Sequence, residues 1–202
     1  MARARSKGTA EGRGEVAREA LIAAARHAFA KGGAAAVEVI PVCKAAGLTT
    51  GALYHHFKNR QGLLVAVIEA VAAGVAESAA AAMEGVSTDW EKLRAGVHCV
   101  LDCCLEDEVR HTYNEAPSIV GLEEWRRIEE AKTGVLLVTT LARLQAAGAL
   151  QVPGGSLPLL AAMLKGAIVE GAMSITRAPR PRVARKEAGV LLDALLQSVR
   201  RG

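Results

Sequence analysis

An all-α fold is predicted by three properties of the chain. Alanine, the strongest helix former, supplies 40 of the 202 residues. Aromatic residues amount to only 3%, too few for the packing surfaces of a β-sandwich or barrel. Apolar residues recur at three- and four-residue steps through most of the chain, the period of a helix with one buried face. No strand pattern or internal repeat stands out, and 202 residues suffice for a sizeable core without disulfide or metal staples.

Nine helices are expected. Residues 1–14, rich in Arg, Gly, Ser and Lys, have little to bury and are expected to form a disordered basic arm. The first helix starts near Glu15, carries Val16, Ala20, Leu21, Ala24, Ala28 and Phe29, and stops at Gly32-Gly33. The second spans about Val39 to Ala46, with Pro41 in its first turn, where a missing amide hydrogen costs little, and Gly47 at its end. Thr49 or Thr50 can cap a third short helix through His56, and Asn59 a fourth that carries Leu63, Leu64, Val67 and Val71 and reaches about Glu84. After Gly85-Val86-Ser87, the stretch Thr88-Asp89-Trp90-Glu91 reads as a capping box opening a fifth helix to about Glu106. Asp107 can cap a sixth, which Pro117 is expected to terminate. A long seventh helix runs from about Leu122 to Ala147 and closes at Gly148; Ser156 caps an eighth, Leu157 to Thr176, apolar on nearly every side and therefore expected to be covered all round. Pro179 and Pro181 precede the last helix, about Arg182 to Arg200.

The net charge of +4 is uneven: residues 1–60 hold ten Lys/Arg against four Glu, residues 61–202 fifteen against seventeen Asp/Glu. A basic front on a near-neutral body suits a polyanion-binding head joined to a part with another task. No apolar run reaches the roughly 18 uncharged residues of a membrane span, and the basic amino terminus lacks the apolar stretch of a secretory signal. The chain is thus expected to be soluble and cytoplasmic, with no membrane partner and with Cys43, Cys99, Cys103 and Cys104 reduced.

Two short helices joined by a glycine turn, behind a packing helix, form a helix-turn-helix whose second short helix enters the major groove. The stretch Val42-Cys43-Lys44-Ala45-Ala46-Gly47-Leu48-Thr49-Thr50-Gly51-Ala52-Leu53-Tyr54-His55-His56-Phe57-Lys58-Asn59-Arg60 resembles the signature of the tetracycline-repressor (TetR) family of transcriptional regulators. The match extends from about Glu15 to Val75, and Tyr-x-His-Phe after the glycine turn is far more specific than a generic helix-turn-helix. The resemblance implies a DNA-binding head over residues 15–75, with its helix-turn-helix at about 38–57, and a helical domain over 76–202 that dimerises and binds an effector. It places Thr49, Thr50, Gly51 and Ala52 at the start of the recognition helix, turns Tyr54, His55 and His56 toward phosphates or base edges, and gives Arg60 a phosphate contact, with Lys58 also counted among the DNA-binding residues. Two positions depart from the family pattern: Cys43 stands where alanine is usual, and Glu38 where a capping threonine is usual.

The residue chemistry agrees. Short side chains at a helix start let its backbone approach a duplex, and its amides attract phosphate. Tyrosine and histidine donate to phosphate or base acceptors, whereas Leu53 and Phe57 are expected in the core. Arg3, Arg5 and Lys7 are assigned phosphate or minor-groove contacts rather than the role of a solubility tail. For the effector, the apolar helices between Trp90 and Thr176 offer Cys99, Cys103, Tyr113, Trp125, Met163 and Glu170 as candidates. Glu170 stands out because an unpaired carboxylate is costly to bury. The expected partners are a palindromic DNA operator, a small-molecule effector and a second copy of the chain, joined through the last two helices. Alternatives are a thiol- or metal-responsive regulator of the same fold, using Cys99 and Cys103 near His98 or His111, a small helical Cys/His enzyme, and a helical interaction protein without DNA binding. No nucleophile, base and acid stand together in a motif, so no catalytic residue, metal site or cofactor is assigned.

Overall fold

The computed structural model describes residues 2–201, with side chains described from residue 12 onward except that of Pro153. Nine helical rods account for most of these residues: α1 (Ala2–Ala36), α2 (Val39–Ala46), α3 (Thr50–Phe57), α4 (Arg60–Glu84), α5 (Asp89–Cys103), α6 (Asp107–Val120), α7 (Leu122–Glu129, a π-helical turn Glu130–Gly134, then Val135–Ala146), α8 (Leu157–Arg177) and α9 (Pro181–Ser198). Among the described residues the β-structure is a single antiparallel bridge, Leu150 to Arg200. The chain divides into two compact units, a head at Met1–Val71 and a body at Ala72–Gly202, with the division inside α4.

Local chemistry sets most boundaries where the sequence places them. Gly33 (φ 62°, ψ −155°) kinks α1 three residues before its end, and Gly47 (φ 67°) closes α2, both in backbone conformations that side chains with a Cβ adopt poorly. The Thr49 hydroxyl oxygen accepts the Ala52 amide at 3.2 Å, Asn59 Oδ1 accepts the Gly62 amide at 2.8 Å, and Thr88 and Glu91 form a reciprocal capping box. Ser156 caps α8 by accepting the Leu159 amide. Glu38 precedes α2 without any side-chain cap bond, as its departure from threonine predicts.

Several expectations are corrected. Residues 2–14, expected as a basic arm, are helical and continuous with α1; no proline interrupts them, and Ala, Arg, Lys and Glu all favour helix. Pro117 does not end α6, since its fixed φ fits a helix; the stop is Gly121 at φ 88°. Asp107 is not the cap of α6, because the chain turns one residue earlier, at Glu106, and Asp107 pairs instead with Arg110 at 3.3 Å. The fifth helix ends at Cys103 rather than near Glu106.

The head core gathers Leu21, Ala25 and Phe29 of α1 with Val42 and Cys43 of α2, Leu53 and Phe57 of α3, and Leu63, Leu64 and Val67 of α4. Cys43 therefore packs, as expected of a small residue there. In the body, α5 is framed by α7, α8 and α9, while α6 packs on α7 and α8. By length and composition α4 and α8 would each be able to cross a membrane, although Glu69 and Glu77 interrupt one and Lys165 and Glu170 the other. Within one chain α8 is not covered all round, because its neighbours occupy one side only: Leu159 and Met163 stand exposed, as do Val190, Leu191 and Leu195 on α9.

Candidate nucleic-acid interface and body cavity

The third helix is held from below. Leu53 and Phe57, four residues apart, are buried in the head core, and the Arg18 guanidinium lies 5.6 Å from the centre of the Phe57 ring. That anchoring turns Thr50, Gly51, Tyr54, His55 and Lys58 to solvent, with Tyr54 51% exposed, while Ala52 is half-buried. A Cβ added to Gly51 would meet nothing closer than Thr49 Oγ1 at 3.7 Å, so the surface there is open. Thr49 is exposed but committed to capping. His56 is half-buried, its ring edge-on to His55 at 5.3 Å and facing Gly14 of α1. It supports the helix as much as it faces outward.

Lys58 follows α3 with φ 61°, a strained value for a side chain with a Cβ. Arg60, which is exposed, ties down the α1–α2 corner, donating from Nε to the Val37 carbonyl at 2.7 Å and from Nη2 to that of Ala34. The side chains of Arg3, Arg5 and Lys7 lie outside the described residues.

The body holds a narrow cavity of about 50 Å³, walled by apolar side chains that include Met83, Leu93, Val97, Leu137 and Ile168, with Tyr113, Thr133, Thr140 and Lys165 as its polar members. A more open hollow of about 250 Å³ adjoins it, sharing Gly134, Leu137 and Lys165. Lys165 is ion-paired with Glu130 on the π-helical turn of α7. A Cβ at Gly134 would come within 3.1 Å of the Glu130 carboxyl, so this glycine leaves room for the pair.

Of the predicted effector residues, only Tyr113 lines the cavity. Trp125 sits edge-on to it at 5.5 Å and 85°. Cys99 and Cys103 interact with each other on α5 outside the lining. Glu170 and Met163 face solvent, and Glu170 is not the buried carboxylate it is expected to be, because α8 keeps an open face.

The buried carboxylate is Glu129, which the sequence reading missed. It is 7% exposed, the Tyr113 hydroxyl donates toward it, and its Oε1 has no partner among the described residues. Burial pushes its pKa up to about 7, opposed by the Tyr113 hydroxyl and by the positive charges of Lys165 and Arg126. Its one sequence signal is its place four residues after Trp125, in the row that packs inward.

A polar network between α5 and α9 was also missed. Arg94 makes two 2.8 Å bonds to Asp193, and Arg185 donates to Asp102 and to His98 Nδ1, the latter at 3.2 Å. His98 must then carry its proton on Nε2, which donates to Asp193 at 3.1 Å. Arg94 and His98 hold Asp193 down to about 2, the Arg94 hydrogen bonds contributing most. The signal was the four-residue spacing of Arg94, His98 and Asp102 facing that of Arg185, Gly189 and Asp193.

His98 is thus engaged away from the thiols, and His111 bonds Glu115 at 2.8 Å. Burial raises Cys103 and Cys104 to about 12 each, and no cluster of three metal-ligating side chains occurs among the described residues.

A helix-turn-helix head with an open recognition face, joined to a helical body with an apolar cavity, defines a DNA-binding transcriptional regulator. Residues 21–67 match the family model for bacterial regulatory proteins of the tetR family, and residues 90–199 that for the tetracyclin repressor-like C-terminal domain. The chain belongs to the TetR family of transcriptional regulators. A TetR-family regulator from Pectobacterium atrosepticum is similar over 95% of this chain and 97% of its own, at 26% identity and a TM-score of 0.78. RolR, solved with its ligand resorcinol, shares the fold at 18% identity and a TM-score of 0.69, covering 94% of this chain and 90% of its own. So does a putative transcriptional regulator from Rhodococcus sp. RHA1, at 19% and 0.70 over 90% and 95% of the two chains. Comparison with curated protein sequences gives no match.

Proposed function

We propose that this protein is a homodimeric, cytoplasmic repressor that binds a palindromic operator and releases it when a small molecule occupies the body. The observation that carries the proposal is the outward face of α3: Leu53 and Phe57 anchor the helix while Thr50, Gly51, Tyr54 and His55 stand free of the core. In a groove, the small residues at the helix start permit close approach, and Tyr54 and His55 supply donors to phosphate and base acceptors. Lys58 adds a cation at the far end of the helix; Arg3, Arg5 and Lys7 add three more along the first turns of α1.

Pairing through α8 and α9 would cover Leu159, Met163, Val190, Leu191 and Leu195, which a single chain leaves exposed. Two-fold symmetry then presents two recognition helices at a fixed spacing, which calls for a palindrome. The capture of RolR with resorcinol supports a small organic effector for a fold of this kind. Such an effector acts only through its difference in affinity for the operator-bound and released forms.

The test is selection of bound sequences from random DNA with the full-length protein. A palindrome should emerge, its affinity should fall steeply with salt, and Tyr54→Ala with His55→Ala should abolish binding while leaving dimer and helix content unchanged. Failure to enrich a palindrome, undiminished binding by the double variant, or single chains in solution would overturn the proposal.

A further inference from the structure

The hydroxyl groups that line the body cavity have already committed their hydrogens. Thr133 Oγ1 donates to the Glu129 carbonyl at 3.2 Å and Thr140 Oγ1 to the Leu136 carbonyl at 2.8 Å, each one turn back along α7. The Tyr113 hydroxyl donates toward the Glu129 carboxyl. The lining residues all belong to helices, whose amides are bonded along the chain. A hydroxyl that has donated still accepts through its lone pairs, and no group among the described residues donates to either threonine oxygen. The interior wall therefore offers acceptors. The donor on offer is Lys165, on the wall that the cavity shares with the open hollow, where Glu130 takes one of its three ammonium hydrogens.

The charges around this corner balance. From α7 come Glu129, Glu130 and the exposed Arg126; from α8 comes Lys165, which pairs with Glu130 and, like Arg126, acts on Glu129 as a positive charge. Burial holds Tyr113 of α6 and Cys103 and Cys104 of α5 in their neutral forms. A cationic ligand would meet Lys165, and an anionic one Glu130 beside it; either would bring a charge among apolar side chains with no unpaired counter-ion in the lining. A neutral carbonyl compound accepts from Lys165 but gives nothing to the threonine oxygens. A hydroxyl group donates as well as accepts, so it suits both walls.

We propose, resting on the ligand-responsive function above, that the body cavity binds a small, neutral, mainly apolar hydroxyl compound whose O–H donates to Thr133 or Thr140 Oγ1. Its hydrocarbon part lies among Met83, Leu93, Val97, Leu137 and Ile168. The cavity and the adjoining hollow, about 50 and 250 Å³, set the size at about ten non-hydrogen atoms, taking roughly 30 Å³ for each.

The test uses the full-length protein without DNA at pH 8, above the value of about 7 to which burial raises Glu129, so that its carboxylate holds the Tyr113 hydrogen. Cyclohexanol, 2-octanol and 1-phenylethanol are each compared by calorimetry and thermal shift with the ketone, the amine and the carboxylate built on the same skeleton. At least one alcohol should bind tenfold or more tightly than all three counterparts. The comparison is made first on the unaltered protein, which needs no variant that might misfold. Thr133→Val together with Thr140→Val keeps the shape of both side chains and removes only bonds that are surplus to the helix; it should cut the preference for alcohol over ketone to less than twofold. Thr139→Val, at an exposed position of the same helix, should leave that preference intact.

A ketone, amine or carboxylate binding as tightly as its alcohol, no alcohol binding, or a preference that survives the double valine variant would each overturn the proposal. An alcohol that binds with the expected preference without releasing the selected operator would uphold the ligand class and overturn the repressor mechanism instead.

Discussion

Replacing Glu129 by glutamine should raise stability at alkaline pH and lose that advantage as the solution is acidified. The carboxyl is 7% exposed, and burial moves its pKa from an ordinary 4.5 to about 7. Below pH 4.5 both the folded and the unfolded chain hold the proton, and no penalty exists. Between 4.5 and 7 the folded state holds a proton that the unfolded chain has lost, so stability falls as pH rises; above 7 the folded state carries a buried carboxylate and the full penalty applies. At about 1.4 kcal/mol per pH unit, the difference between the two states is on the order of 3 kcal/mol. The glutamine amide brings donors that also need partners, which adds a constant that does not vary with pH. The slope is therefore the informative quantity. Urea denaturation of parent and variant at pH 5, 6, 7 and 8, at one protein concentration, should show the stability difference growing by on the order of 3 kcal/mol in the variant's favour. A difference that stays flat across this range would refute the account of Glu129 as an acid whose burial outweighs the groups that favour its charge.

Gly51 makes no packing demand, since an added Cβ meets nothing nearer than 3.7 Å. Gly51→Leu should therefore leave the head as stable or raise its stability by up to about 1 kcal/mol, while weakening operator binding more than tenfold; a lower melting temperature would contradict this. Lys58→Gly relieves a φ of 61° and should stabilise the head by about 1 kcal/mol, while lowering the dependence of log affinity on log salt by about one. An unchanged salt dependence would remove Lys58 from the phosphate contacts. Iodoacetamide at pH 8 should modify the partly exposed Cys99 before Cys103 and Cys104, whose thiols burial holds at about 12, and peptide mass mapping that finds Cys104 alkylated first in the folded protein would contradict that burial.

What the sequence disclosed and what it hid divide by the range of the interactions. The caps at Thr49, Asn59, Thr88 and Ser156 and the turn at Gly47 each depend on atoms within three or four residues, so the head and most helix ends were legible. The structural tie made by Arg60 was not legible because its acceptors, the carbonyls of Val37 and Ala34, lie 23 and 26 residues back. Glu129 was missed because its burial depends on Tyr113 and the packing of α5 to α8, of which the four-residue step from Trp125 reports only a part. Glu170 was overvalued for the converse reason: an apolar neighbourhood along the chain says that a helix will be covered, but not that one chain alone covers it. Pro117 shows a local rule applied too strictly, since proline forbids one hydrogen bond and not the helical φ.

Head and body share α4. Its first half places Leu63, Leu64 and Val67 in the head core, and its second half places Ala79 and Met83 in the cavity wall. At 1.5 Å per residue, its 25 residues form a rod on the order of 37 Å long, bonded internally throughout. Under the proposed function, a ligand seated against Met83 would touch the same helix whose first residue, Arg60, holds the Ala34 and Val37 carbonyls. Allosteric coupling of a typical size, about 1–3 kcal/mol, is comparable with two such hydrogen bonds from a charged donor, at about 1.5–3 kcal/mol each where they are fully shielded and less where, as here, the arginine is exposed. On that proposal, the energy needed to re-set the corner that carries α2 and α3 would be within what differential ligand binding typically supplies.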